Sequence, residues 1–285
     1  MKKTVLLIGS ASEIASCFHK NYSEKYHIIA STRSRDGTII VDLANKIDLT
    51  HIPDKLDVAI FCAGITNIKS LEKDILLAAR VNCISTIDLC RVLNARNIPI
   101  LFISSTAVFS QSSNKNSEYD SLSPECHYGL FKACVENELM LSPINTIIRL
   151  PKVIGRNSLL TKWGKSLSEG RPITCFSDLK VAPLPIKLVI DYFSYLIESR
   201  PDGIVHLSPD SDISYYELAL KLARSLNVSA SFIKPILSVE SNAEVIYKPS
   251  KAFLDCKRTY SQSISLDDSL QIIFEDLKAN LQISI

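Results

Sequence analysis

"VLLIGSASEIA", residues 5–15, reads as a buried strand that stops at a glycine and hands over to a helix. Val5–Ile8 is an unbroken apolar run, Gly9 follows it directly, and Ala15 lies inside the next segment. A strand without polar alternation is covered on both faces, which is the mark of a parallel sheet. The same unit recurs outward from this stretch. Strands are expected at "TVLLIG" (4–9), "YHIIAST" (26–32), "TIIVDL" (38–43), "LDVAIFCAG" (56–64), "IPILFISS" (98–105) and "NTIIRL" (145–150). Between them, residues 71–95 and 126–142 have helical apolar spacing. Alternation of this kind predicts an α/β fold built on a doubly wound parallel sheet.

The rhythm changes after Leu150, where prolines at 151, 172, 183, 185, 201, 209, 235 and 249 divide the chain into shorter pieces. Residues 1–150 are read as one domain. Residues 151–285 form mainly a smaller α/β lobe at the C-terminal edge of the sheet, with parts of 185–208 rejoining the first domain. "GIVHLSPDSDISYYELALKLARSLN" (203–227) predicts a strand, a turn and a helix from about Ser214, with Glu217 completing a capping box. A last helix is expected over 266–281.

Composition narrows the function. The 285 residues are 46% hydrophobic and 22% charged, as in an ordinary soluble globular protein. A net charge of +2, with basic residues scattered, gives no reason to expect a nucleic-acid or membrane partner. No stretch approaches the ~20 apolar residues that cross a bilayer. The run Val5–Ile8 is too short for a leader's apolar core. Eight cysteines without a C-x-x-C pair suit reduced thiols in a cytoplasmic protein. The five histidines lack metal-ligand spacing, so no metal is expected.

The turn at Gly9 suits a Rossmann dinucleotide site, which needs backbone N–H groups and a helix N-terminus facing a pyrophosphate. Gly9 supplies the turn, and Ala15 is small enough for close helix–strand packing. Ser12 stands where a G-x-x-G-x-x-G reading wants its middle glycine. Its hydroxyl either donates to a phosphate or crowds it, and a tight turn without cofactor has the same local pattern. The second strand ends "ASTRSR" (30–35), with no carboxylate to hold a ribose 2′-hydroxyl. Arg33 and Arg35 there suit the 2′-phosphate of NADP, with NAD as the alternative. Asp42, with Leu43, follows the third strand and is a candidate for the adenine rim.

Two Tyr-to-Lys steps of four residues occur, in "YGLFK" (128–132) and "YKPSK" (247–251). Pro249 resists a regular helix within the second, so the Tyr247/Lys251 spacing reads as chance. The first continues for several helical turns, which puts Tyr128 and Lys132 on one face. A nearby ammonium favours the phenolate and moves a tyrosine, with an ordinary pKa of about 10, toward use as an acid–base group. Upstream, "LFISSTAVFS" ends a strand in hydroxyl residues, so Ser105 and Thr106 are candidates to hold a substrate carbonyl.

Together these motifs resemble the extended, nucleotide-sugar-modifying branch of the short-chain dehydrogenase/reductase superfamily, over nearly the whole chain. Gly9, Ser12 and Ala15 fall on its glycine-rich turn, with Glu13 and Ile14 beside the cofactor. "FCAG" (61–64) falls on its fourth-strand motif, implicating Cys62, Ala63 and Gly64, and "VN" puts Asn82 on its helix asparagine. "SSTAVF" and "YGLFK" supply the catalytic set of Ser105, Tyr128 and Lys132, with Thr106 as a second hydroxyl. "IIRLPKVIG" (147–155) implicates Pro151 and Val153 beside the nicotinamide. Within the branch, "FSDLKVAPL" (176–184) is similar to a segment of the dTDP-4-dehydrorhamnose reductases, keeping only its Asp and Pro. "EGRPI" (169–173) is closer to epimerases and dehydratases, although Lys187 and Leu188 stand where epimerases carry paired aspartates.

The resemblance implies NADPH-dependent reduction of a keto group on a nucleotide-linked deoxysugar, in an enzyme that could be a homodimer. Tyr128 would protonate the developing alkoxide, Lys132 would hold the nicotinamide ribose and depress the Tyr128 pKa, and Ser105 would orient the carbonyl. Arg156, Lys162, Trp163 and Arg171 are candidates to meet the nucleotide diphosphate, against the plainer reading of solvated charges and one core Trp. The alternatives are an NAD-dependent epimerase and a cofactor-binding regulatory subunit without turnover.

Overall fold

The computed structural model describes residues 2–33, 39–45, 47 and 50–281. The first half runs β1 (Thr4–Ile8), α1 (Glu13–Tyr22), β2 (His27–Thr32), β3 (Ile39–Ile40), β4 (Val58–Phe61), α2 (Ile68–Lys73), α3 (Ile75–Ala79), α4 (Ser85–Ala95), β5 (Ile100–Ser105), α5 (His127–Leu139) and β6 (Thr146–Leu150). The second runs β7 (Lys152–Ile154), α6 (Leu159–Ser168), β8 (Ile173–Phe176), β9 (Lys180–Val181), β10 (Pro183–Pro185), α7 (Ile186–Ser199) and β11 (Gly203–Pro209). It ends with β12 (Ile213–Ser214), α8 (Tyr215–Ser225), β13 (Ile233–Ile236), β14 (Gln262–Ile264) and α9 (Leu266–Leu281).

The central sheet has the order β14-β11-β6-β5-β4-β1-β2-β3 and is parallel at every pairing. Val5 and Leu7 face α1 and α7, where they meet Phe18, Val189, Phe193 and Leu196. Leu6 and Ile8 point the other way, toward Leu89 and Leu93 of α4 and Val135 and Leu139 of α5. Both faces are therefore dry, and this is why the strands carry no polar alternation. The chain leaves β1 toward β2 and β3, then returns to β4 on the other side of β1. Such a reversal opens a crevice at the carboxyl ends of the strands, the usual ligand position in open α/β sheets.

Elements from the second half extend this body. Strand β11 pairs with β6, β14 pairs with β11, and α7 packs on the sheet beside α1. A separate core forms where α6, α8 and α9 bury Leu160, Leu222 and Phe274 together with Ile173 and Ile233. Three short strand pairs, β7 with β10, β8 with β13 and β9 with β12, tie this layer together. The capping box at Ser214 and Glu217 is formed.

The helical stretch expected over 71–95 is instead broken. Asp74 ends α2, and its side chain accepts from Leu77 N at 3.0 Å to start α3. A π-helical turn, Arg80–Ile84, follows before α4.

Candidate active site

Gly9 ends β1 with φ +81°, and a Cβ there would lie 2.6 Å from Ala63 Cα. The loops after β1 and β4 thus touch backbone to backbone at the reversal point. Ser12 is extended (φ −68°, ψ 151°) and caps α1, its Oγ accepting from Ala15 N at 3.3 Å. This conformation needs no glycine, and the hydroxyl oxygen is turned into the helix. Ser12, Glu13 and Ile14 line a cleft of about 780 Å³ that runs from this helix end toward the second-half layer. Glu13 does more than line it. Its Oε1 accepts from Asn157 N at 3.0 Å, and a Cβ on Gly155 would come within 2.5 Å of that oxygen.

Asn82 is buried and brackets Ile65, accepting from its N–H at 2.7 Å and donating to its carbonyl at 2.8 Å. The π-helical turn sets this reach, so Asn82 shapes the loop after β4 from behind the cleft wall. Gly64 has φ +150°, with Asn82 Oδ1 3.2 Å from where a Cβ would stand. Arg33 lies exposed just past β2, and Arg35 falls outside the described residues. Asp42 holds its own turn, accepting from Ala44 N at 3.0 Å and Asn45 Nδ2 at 2.7 Å, while Leu43 is buried in the sheet core.

The reacting end lies over β5. Ser105 is its last residue and caps a 3₁₀ turn, Thr106–Val108, by accepting from Ala107 N at 3.2 Å. Helix α5 packs so closely on this turn that a Cβ on Gly129 would stand 1.9 Å from Ala107 O. That approach brings Tyr128 against Ser105. Burial pushes the Tyr128 phenol up to about 12, and a hydrogen bond with Ser105 partly opposes the rise. Lys132 is buried, donates to Ile103 O at 2.7 Å and lies 4.4 Å from the centre of the Phe102 ring. Burial lowers its ammonium to about 8. The expected lowering of the tyrosine by this lysine is not seen: Lys132 Nζ is 6.0 Å from the Tyr128 ring centre and directed to Ile103.

Cys62, Ala63, Thr106, Pro151 and Val153 also line the cleft. Trp163 reaches it while remaining a core residue, 7% exposed and edge-on to Tyr215 at 6.2 Å. The expected basic residues do not converge there. Arg156, Lys162 and Arg171 are exposed and outside the cleft lining, and Arg171 pairs with neighbouring Glu169. Long charged side chains on an exposed helix face or loop are better hydrated outward than packed into this wall. Lys152, Lys180, Lys248 and Tyr247 line it instead. Lys180 sits within "FSDLKVAPL", and its position there was the available signal. The spacing within "YKPSK" carries no sign that Tyr247 enters the cleft. The pair is indeed unstacked, with Lys251 bound to Asp255 at 2.7 Å, but the tyrosine enters the cleft.

No group of three or more His, Cys, Asp or Glu side chains among the described residues is arranged to hold a metal ion, and none of the helices described is long and apolar enough to cross a membrane. All eight cysteines are free thiols.

A parallel sheet reversing at a glycine turn, with Ser, Tyr and Lys at the carboxyl end of β5, defines the architecture of an extended short-chain dehydrogenase/reductase. Comparison with known proteins agrees: residues 1–271 match the profile described as the RmlD substrate binding domain, and the chain belongs to that family. It is 23% identical to a probable low-salt glycan biosynthesis reductase, Agl14, of Haloferax volcanii, over 87% of this chain and 88% of that one. It is 22% identical to methionine adenosyltransferase 2 subunit beta of Pongo abelii, over 90% of this chain and 81% of that one. Among solved structures it superposes on dTDP-4-dehydrorhamnose reductase of Bacillus anthracis, solved with NADP (TM-score 0.79, 18% identity, 97% of this chain and 100% of that one). It also superposes on a UDP-N-acetylglucosamine 4-epimerase of Methanobrevibacter ruminantium, solved with UDP-N-acetylmuramic acid (TM-score 0.85, 17% identity, 100% of both).

Proposed function

We propose that this protein is an oxidoreductase that uses NADPH to reduce a keto group on a nucleotide-linked deoxysugar. The observation that carries the reading is the meeting of Ser105, Tyr128 and Lys132 at one end of a cleft whose other walls are the α1 N-terminus and the second-half layer. Residues 1–150 would hold the dinucleotide. The part of 151–285 that does not rejoin the sheet would hold the nucleotide sugar.

The cleft suits a dinucleotide on its own geometry. The first turn of α1 opens into it, and the Gly9 turn packs that helix start against Ala63, another residue of its wall. Lys132 and the Ser12–Ile14 turn would hold the cofactor, with Pro151 and Val153 against its nicotinamide. When bound, the reduced nicotinamide supplies a hydride. Tyr128 keeps its proton on Oη at neutral pH, because burial disfavours the phenolate. It gives that proton to the carbonyl oxygen as negative charge develops there. Ser105, whose single hydroxyl proton faces the phenol in the free site, would turn that proton to the same oxygen and align it. The product is a secondary alcohol, and Tyr128 regains its proton from solvent.

The test is NADPH oxidation with a panel of nucleotide-linked 4-keto-6-deoxysugars, and no oxidation with any of them would reject the reading. The superposition on the UDP-N-acetylglucosamine 4-epimerase supports a second one, in which hydride leaves and returns to the same sugar. Tightly retained NAD(H) in the purified protein, with no net cofactor oxidation, would favour it. The likeness to methionine adenosyltransferase 2 subunit beta supports a reading as one subunit of a larger assembly, and any cofactor-dependent turnover by the isolated chain would exclude a purely regulatory role.

A further inference from the structure

Tyr247 is an aromatic residue brought into the cleft without joining a hydrophobic core. Residues 244–249 have no regular secondary structure, and Tyr247 belongs to none of the buried apolar clusters of the described residues. Its placement is nevertheless fixed by the residues that follow it. Lys248 N donates to Gln111 Oε1, and Ser250 N donates to Gln111 O at 2.7 Å. Asn116 Nδ2 donates to Lys251 O at 3.2 Å, and Ala252 N donates to Asp212 Oδ2 at 2.9 Å. Lys248 Nζ reaches Ser238 Oγ at 3.1 Å, and Asp178 in turn holds Ser238 at 2.8 and 2.7 Å.

The phenol held by these anchors lies beside Thr106, the neighbour of the Ser105 that meets Tyr128, and all four residues line the one cleft. Two consecutive hydroxyl residues thus each face one tyrosine. Gln111, which holds the residues after Tyr247, lies five positions beyond Thr106, so the loop brings Tyr247 to the end of the cleft where Tyr128 stands. A tyrosine hydroxyl is one donor and one acceptor, so it can accept from Thr106 and still give its proton to a ligand. A ring kept for packing would sit in a core. This one is secured by backbone bonds and offers its polar end to the cleft.

We propose that Tyr247 is a specificity-determining positioning residue, whose hydroxyl donates to the sugar ring beside the reacting carbonyl. This rests on the reductase reading above, and its test separates the two. Wild type and Tyr247→Phe are compared in full-length protein with NADPH and a nucleotide-linked 4-keto-6-deoxysugar. The substitution keeps the ring and removes the donor. It should raise KM for the sugar nucleotide roughly 3- to 10-fold, the size of one neutral hydrogen bond, with a smaller fall in kcat. KM for NADPH and inhibition by the bare nucleoside diphosphate should move less than twofold. Tyr247→His, which restores a donor, should recover part of the loss; its failure to do so alongside an unshifted melting temperature counts against the proposal. An unchanged sugar-nucleotide KM in Tyr247→Phe would overturn the inference alone, as would an equal loss for the bare nucleotide. A wild type that neither turns over nor binds any nucleotide sugar would overturn both.

Discussion

Glu136 on α5 and Arg149 on β6 form an ion pair at 2.6 Å in which each side chain is only 1% exposed. Ser104 donates to the same carboxylate, so the pair anchors α5 directly beneath the end of β5. Removing one partner leaves an unpaired charge in the core. Glu136→Ala should cost about 3–5 kcal/mol, whereas replacing both residues with apolar ones of similar volume should cost far less. Urea unfolding of the single and double variants checks this, and a single-variant loss below ~1 kcal/mol would contradict it.

Tyr128→Phe should lower turnover by ~10²-fold or more, the scale of a lost general acid, while cofactor affinity changes little. Steady-state kinetics with calorimetric NADPH titration reads both at once. Normal turnover would remove Tyr128 from the proposed chemistry.

Lys132 sets the alkaline limb. Its ammonium is lowered to about 8, so it is charged below that pH and neutral above, while Tyr128, pushed up to about 12, stays protonated throughout. NADPH affinity and kcat/KM should therefore fall as pH rises through about 8. A profile flat from pH 7 to pH 10 would show that the cation takes no part.

Cofactor choice should follow Arg33 at the end of β2, a strand that ends without a carboxylate. NADPH should bind more tightly than NADH, and Arg33→Ala should narrow the gap by roughly 1.5–3 kcal/mol, the value of a charge-assisted hydrogen bond. Equal affinities in the wild type would defeat the assignment.

The nucleotide should act as a handle remote from the reacting carbon, its binding energy spent on positioning the ketone. A free keto sugar should be a far poorer substrate than its nucleotide-linked form. Matched NADPH-oxidation assays on the pair check this, and comparable rates would leave a reductase of small carbonyl compounds.

The sheet was legible because burial on two faces writes itself into single strands: "TVLLIG" and "IPILFISS" carry the pattern without help from distant residues. Local chemistry was equally readable, as at the Ser214–Glu217 box and the last helix, Leu266–Leu281. What escaped depends on partners far along the chain. Strands β9 and β12 are two residues each, and each exists only because the other does. The Asp74 break looks like any helical aspartate until its side chain is seen capping Leu77. The site divided the same way. Tyr128 and Lys132 share one helix, so their spacing shows in the sequence, whereas Tyr247 and Thr106, which line the same cleft, stand 141 positions apart (247 minus 106).

The contact between Gly129 and Ala107 has an evolutionary consequence. With 1.9 Å between a would-be Cβ and a carbonyl oxygen, main chain rests on main chain where α5 meets the turn after β5, and no side chain stands between Gly129 and Ala107. The position of Tyr128 therefore rests first on this contact, with Leu254 from the second half packed beside it against Val108, Phe109 and Ala133. A lineage with such a joint is free to rewrite the cleft wall that the second half supplies, exchanging one set of lysines and tyrosines for another, while the corner at Ser105 and Tyr128 is inherited intact.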